Sequence, residues 1–306
     1  DYVLLGYVVQ RFRRDMHQMK AGYSRQSALT ALALAALILS GACSGGKRDF
    51  ADLLSAARQD IGAGEYRAAL QTLESALKQQ PSDREALFFS GVCYQELNIP
   101  DTASSFYRKA LRLHGSDLET ARRLTDVAAQ NQDWSVALEG LREMVKAGEK
   151  YETLMPRFYE IYMSGGYYAG ASATLDSMIK LNPEDSRLYL RSADTKGLLG
   201  EFDRAEMILQ EALRRFGPNM ETYSNMGVLY TRQQKYDKAE MFFRKALELN
   251  DRNDGAWLNL ANCLSVSSDP QKRREAIAAY RRVSSKIYDQ LRLDTLVARL
   301  EYELGN

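Results

Sequence analysis

The sequence predicts an all-α protein, a tandem array of short helix pairs, on three observations. Alanine stands at 69, 103, 137, 171, 205 and 239, six times at a step of 34 residues, and self-similarity at such a period marks a repeat architecture. Neighbouring columns keep the step: Leu73, Tyr107, Leu141, Leu175, Leu209 and Phe243 are bulky, while Ala76, Ala110, Met144, Met178, Ala212 and Ala246 are mostly small. These columns lie three and four residues apart, as on one helix face. Helix breakers keep to the gaps. Pro81, Pro183 and Pro218 stand where a helix should stop, and Gly64, Gly166 and Gly200 sit in mid-unit turns where positive φ is cheap for glycine. A length of 306 residues would by itself suggest two domains. The repeat replaces that with one array.

Before the array comes a leader. Residues 1–18 are read as an upstream extension outside the fold, with Met19 a better start than Met16. From there Lys20 and Arg25 form a short positive stretch, and Ala28–Leu39 is an apolar run of 12 residues. An export signal carries about 7–15 such residues and a membrane-spanning helix about 20. Leu39-Ser40-Gly41-Ala42-Cys43 follows and resembles the lipobox of bacterial lipoproteins, with Ser40 where that motif more often has Leu. The resemblance implies cleavage of a signal peptide at 19–42, a lipid anchor at Cys43 made of a diacylglyceryl group on its sulfur and often an acyl chain on the new N-terminus, and, from Ser44 in place of Asp, sorting to the outer membrane facing the periplasm. Ordinary cleavage beside an unmodified Cys43, or an uncleaved segment, are the other readings. Residues 43–49 form a tether. Six extended residues reach about 20 Å, which keeps the first repeat near the lipid.

The units run 50–83, 84–117, 118–151, 152–185, 186–219 and 220–253 without insertion. Small residues at the eighth place (Ala57, Gly91, Ala193, Gly227) let the two helices of a unit approach. Tyr66, Pro100, Trp134, Tyr168, Phe202 and Tyr236 stand three places before each periodic alanine. Best formed are unit 2 (Gly91, Tyr94, Ala103, Tyr107, Ala110) and unit 6 (Tyr223, Gly227, Tyr230, Ala239, Phe243, Ala246). This grammar resembles the tetratricopeptide repeat, which implies helix A, a tight turn and helix B in each unit, stacked into an α-solenoid, a right-handed superhelix. Unit 4 departs from it: Pro156 predicts a helix A that starts late or bends, and Phe158, Tyr159, Tyr162, Tyr167 and Tyr168 form either an aromatic core or a contact surface. A seventh unit spans 254–290. Its Ala276, Tyr280 and Val283 match helix B three residues late, which predicts a longer Ser267–Arg273 turn. Over 291–306, Leu293, Leu296, Leu300 and Leu304 predict a capping helix or a truncated eighth unit.

Little in the chain points to catalysis. No phosphate loop, HExxH, paired CxxC or GxSxG motif occurs. His114 reads as solvated surface, and Cys93 and Cys263 as core thiols in the same slot of units 2 and 7. The expectation is a protein that is no enzyme and uses no cofactor, metal or small-molecule substrate. Lys plus Arg number 41 against 40 Asp plus Glu. The slight basic excess lies in the leader, so nucleic acid is not an expected partner either.

Recognition is the remaining role. The repeat family lines a concave groove with helix A. There Arg123, Arg157 and Arg191 share the sixth place, and Asp126, Glu160 and Asp194 the ninth, three residues on. As i,i+3 pairs they form either a solvated salt-bridge ladder or a polar seam for an extended peptide or a partner's loop. Phe88, Phe89 and Val92 place an apolar patch on the same face, either for binding or for packing on unit 1. The family's Lys and Asn carboxylate clamp is not reproduced. The expected function is a lipid-anchored, non-enzymatic scaffold or assembly factor that holds another envelope protein or peptide. It would serve a secretion, pilus, outer-membrane or polysaccharide-export machine. An adaptor of peptidoglycan enzymes, or a cytoplasmic scaffold if the leader stays unprocessed, are the alternatives.

Overall fold

A computed structural model of the protein describes residues 49–305, so the leader and Cys43 lie outside the described residues. Among the described residues the chain forms sixteen helices and no strand. In chain order they are α1 (Phe50–Gly62) and α2 (Tyr66–Gln79), α3 (Arg84–Glu96) and α4 (Pro100–His114), and α5 (Leu118–Gln130) and α6 (Trp134–Lys146). Then come α7 (Tyr151–Ser164) with α8 (Tyr168–Leu181), α9 (Ser186–Leu198) with α10 (Phe202–Phe216), α11 (Met220–Arg232) with α12 (Tyr236–Leu249), and α13 (Asp254–Ser265) with α14 (Pro270–Tyr280). α15 (Ser285–Gln290) and α16 (Leu293–Glu303) close the described part. Odd numbers up to α13 are helix A and even numbers up to α14 helix B. From α2 to α14 each helix packs on the next, and α9, α11 and α13 also touch in turn.

Start signals recur with the period. Asp83, Asp117, Asp185, Asn219 and Asn253 each cap a helix A, accepting the N–H of Ala86 (2.7 Å), Thr120 (3.0 Å), Arg187 (3.1 Å), Thr222 (2.8 Å) and Ala256 (2.7 Å). Such a cap satisfies a donor that the helix cannot. Position 151 of this column holds Tyr, and α7 begins there without a side-chain cap. α7 nevertheless starts on schedule. Pro156 lies inside it, so the expected late start does not occur. The carbonyl freed by the missing N–H belongs to Glu152, which like Pro156 is exposed, so water can satisfy it.

The turn between helices A and B is the same six times. Gly64, Asn98, Gln132, Gly166, Gly200 and Gln234 hold φ between 59° and 78°. The N–H of the following residue reaches back five residues, as from Ile99 to the Tyr94 carbonyl at 2.9 Å and from Asp133 to that of Ala128 at 2.8 Å. This is a Schellman closure, which needs one left-handed residue. Glycine supplies it in three units, Asn or Gln in the others.

All six periodic alanines are 0% exposed, and the bulky column four residues on, one helical turn away (Leu73 to Phe243), is 0–1% exposed. How the pair closes differs between units. A Cβ on Gly91 would sit 2.5 Å from the Tyr107 ring, and one on Gly227 2.4 Å from the Phe243 ring. In unit 3 the glycine is on the other helix, where a Cβ on Gly140 would meet the Thr125 hydroxyl at 2.4 Å. In unit 4 Gly170 of helix B makes room for Tyr162, whose ring a Cβ would meet at 2.7 Å. Tyr162 also stacks on Phe158 at 6.1 Å, while Tyr167 is 44% exposed, so the aromatic group of unit 4 is part core and part surface.

Unit 7 corrects the expected long turn. α14 starts at Pro270, 34 residues after Tyr236, and Asp269 caps it through the Gln271 N–H at 2.8 Å. The displacement lies in rotation: Ala276 is buried where the period places Arg273. Three residues turn a helix about 300°, 60° short of a full circle. The turn before α14 contains no left-handed residue, so the helix enters differently. The cap shows a second difference. Leu293, Val297 and Leu300 of α16 are buried with Tyr280 and Val283, whereas Leu296 is 40% exposed. α15 was not anticipated.

Candidate interaction surface

Sequence spacing suggested ion pairs three residues apart within one helix. The structure instead links arginines of the helix-A row mostly to the neighbouring unit. Arg58 of α1 donates from Nε to Glu85 of α3 at 2.9 Å and lies over the Phe89 ring at 5.9 Å. Arg123 of α5 lies over the Phe88 ring of α3 at 5.7 Å and bonds Glu119 of its own helix at 2.9 Å. Arg157 of α7 pairs with Asp126 of α5. Arg191 of α9 lies over Tyr159 of α7 at 5.5 Å. Arg232 of α11 reaches back to Asp194 of α9, 2.8 Å to the carboxylate and 3.2 Å to its carbonyl.

The reason is geometric. The ninth residue of one helix A lies beside the sixth residue of the next, 31 positions later, and a long guanidinium spans the gap. Asp126–Arg157 has this spacing, as do Arg58–Phe89 and, on the helix-B side, Arg108–Glu139 (2.9 Å) and Arg244–Glu275 (2.6 Å). Arg58, Glu85, Tyr159 and Arg232 escaped the sequence reading, although opposite charges 31 apart would have shown part of the pattern. Gly197 gives Arg232 its path: a Cβ there would touch Nη1 at 3.0 Å.

The apolar patch divides. Val92, 8% exposed, belongs to the core with Ala103 and Tyr107 and is not offered to a partner. Phe88 packs on that core, 6.0 Å from Tyr107, while Phe89 is half-buried beneath Arg58. Glu160 is exposed.

Elsewhere, a cleft of about 450 Å³ lies between units 6 and 7 along Lys235, Asp237, Glu240, Cys263 and Lys272. Three of its charges are spent on each other, Lys272 lying 2.8 Å from Asp237 and 3.0 Å from Glu240. Burial pushes the Cys263 thiol up to about 11, as it does Cys93, and Cys263 donates to the Tyr236 carbonyl at 3.3 Å. A thiol held protonated is a poor nucleophile. Among the described residues no group of three or more His, Cys, Asp or Glu could hold a metal ion, and no helix is long and apolar enough to cross a membrane.

The tetratricopeptide-repeat family profile matches residues 54–117 and again 221–253. The chain carries tetratricopeptide repeats in these two segments. Its periodic alanines and left-handed turns run unbroken between the two matched segments. Among curated proteins it is similar to the BBSome complex member BBS4 of Bos taurus, 24% identical over 195 residues, covering 64% of this chain and 37% of that one. It is likewise similar to Protein FlbA of Caulobacter vibrioides, 24% identical over 165 residues, covering 54% and 27%. The chain thus spans well under half the length of these relatives. Among solved structures, Naa15/Naa10 bound to HypK-THB superposes with a TM-score of 0.60 at 18% identity, over 82% of this chain and 38% of that one, a likeness of fold.

Proposed function

We propose that this tetratricopeptide-repeat protein is a non-enzymatic scaffold that holds another protein by the exposed helix-A row of its repeats. The observation that carries the reading is the row itself: six consecutive helices A with arginine, carboxylate and aromatic side chains along one face, on a scaffold whose core is almost wholly apolar. Such an array offers a long surface and no activated nucleophile. In the finer form, the protein is a bacterial envelope lipoprotein. Cys43 carries the lipid, the repeats face the periplasm from the outer membrane, and the partner is a component of a secretion, pilus, outer-membrane or polysaccharide-export machine. Support for the finer form is the leader sequence alone.

Crosslinking and pull-down from membranes test the scaffold. Specific recovery of one envelope protein is expected, and recovery lost with Arg123, Arg157 and Arg191 reversed to Glu locates the surface. Recovery of peptidoglycan enzymes instead would favour the adaptor reading. Mass spectrometry of the mature N-terminus tests the anchor: an unmodified chain starting at Met16 or Met19 overturns it.

A further inference from the structure

One rung of the arginine row is open. Arg58, Arg123, Arg157 and Arg232 each have a carboxylate, from Glu85, Glu119, Asp126 and Asp194. By the spacing of Asp126–Arg157, Arg191 should take Glu160. That pair is not formed: the Arg191 guanidinium lies over the Tyr159 ring at 5.5 Å, exposed, with no carboxylate within ion-pair distance among the described residues. Asp185, which feels its charge, gives both oxygens to Arg187 at 2.9 Å.

We infer that Arg191 is the recognition point for an Asp or Glu side chain of an extended partner segment. This rests on the scaffold reading above and names the chemistry of its ligand. The physical argument has three parts. A guanidinium lying over a half-buried aromatic ring, with no carboxylate on it, keeps N–H donors for an incoming carboxylate, which it can bind bidentately. The contact with the ring restricts the side chain beforehand, which lowers the ordering cost of binding. And Leu198, seven residues on and so on the same face two turns away, is 36% exposed, an apolar contact beside the acid. Glu160, exposed next to Tyr159, competes with an incoming acid for Arg191 and disfavours a more highly charged ligand.

The test is a random dodecapeptide phage library panned on the full 306-residue chain, followed by affinity measurement with one enriched, fluorescein-labelled peptide. Enriched peptides should share an Asp or Glu. Arg191→Gln should weaken binding about tenfold, the worth of one good charge-assisted pair, and Asp or Glu to Asn or Gln in the peptide should do the same without adding to it. Arg244→Gln, on the helix-B side and paired with Glu275 at 2.6 Å, should change affinity less than twofold, and Glu160→Gln should tighten it. Binders without an acid, or affinity indifferent to Arg191→Gln but lost in the Arg123, Arg157 and Arg191 triple reversal, overturn this inference while leaving the scaffold standing. No enriched peptide together with no protein recovered from membranes overturns both.

Discussion

Units 2 and 3 close the same helix pair with glycine on opposite sides. In unit 2 helix A contributes Gly91 and helix B answers with Tyr107, 0% exposed; in unit 3 helix B contributes Gly140 and helix A answers with Thr125, also 0% exposed. Unit 6 repeats the first solution with Gly227 and Phe243, and units 1 and 5 use neither, with Ala57 and Leu73, and Ala193 and Leu209. The lesson is that the repeat conserves the space between its helices and not the residue that leaves it. A close approach needs a missing Cβ on one side, and the other side fills what is left.

The largest effect should come from Gly140→Ala. Its Cβ would lie 2.4 Å from the Thr125 hydroxyl and also 2.9 Å from the Thr125 backbone nitrogen and 3.0 Å from the Ala121 carbonyl oxygen. Backbone cannot step aside, so a loss of about 3 kcal/mol is expected in urea unfolding, with Thr125→Ala restoring only part of it. Gly91→Ala should cost less, about 2 kcal/mol, because it meets a ring that can tilt. Adding Tyr107→Leu converts the unit to the Ala57 and Leu73 arrangement and should recover most of that loss in a double-mutant cycle. Independent effects of the two changes would break the comparison.

Capping sharpens it at the next level. Asp117→Ala should cost about 1 kcal/mol at pH 7, since the carboxylate caps α5. Burial works to raise the Asp117 carboxyl, but its bonds to Thr120 and its pairing with Arg84 at 2.6 Å outweigh that and leave it below the usual range. A carboxyl lowered in the folded state stabilises above its unfolded value, near 3.9, and the contribution fades as pH falls through the folded value. The wild-type advantage over Asp117→Ala should therefore shrink below about pH 4 in thermal unfolding.

The smallest effect belongs to the turns. Asn98 and Gln132, one in each unit, hold φ of 59°. Replacing Gln132 with Gly should stabilise by up to about 1 kcal/mol, the left-handed penalty less the added chain entropy. Asn98→Gly should gain less, because Asn tolerates this conformation through its short polar side chain. Equal melting-temperature gains would remove that distinction.

Much of this was readable in the linear chain. Tyr66, Pro100, Trp134, Tyr168, Phe202 and Tyr236 each open a helix B, and Pro270 continues the column into unit 7. The cap column Asp83, Asp117, Asp185, Asn219 and Asn253 is equally visible in the chain. The turn column is harder to see there, because Asn98, Gln132 and Gln234 are not glycine. Val92 and Phe88 could not be sorted by sequence, since both fall on faces that a neighbouring helix decides whether to cover. The arginine row is legible in the chain, but its partners mostly stand on the neighbouring helix A, which spacing within one helix does not show.

What the sequence by itself determined is the period and all that hangs on it: helix starts, turn positions and a core column of alanines. These depend on contacts within a few residues or on a spacing that the chain repeats. The tertiary structure decided which helix of a pair leaves room, how α14 is rotated, and which arginine stays unpaired. Each of those is settled by atoms from helices that the turns bring side by side. At that range a few ångströms of side-chain reach, invisible in a string of residues, choose between Asp126 for Arg157 and an aromatic ring for Arg191.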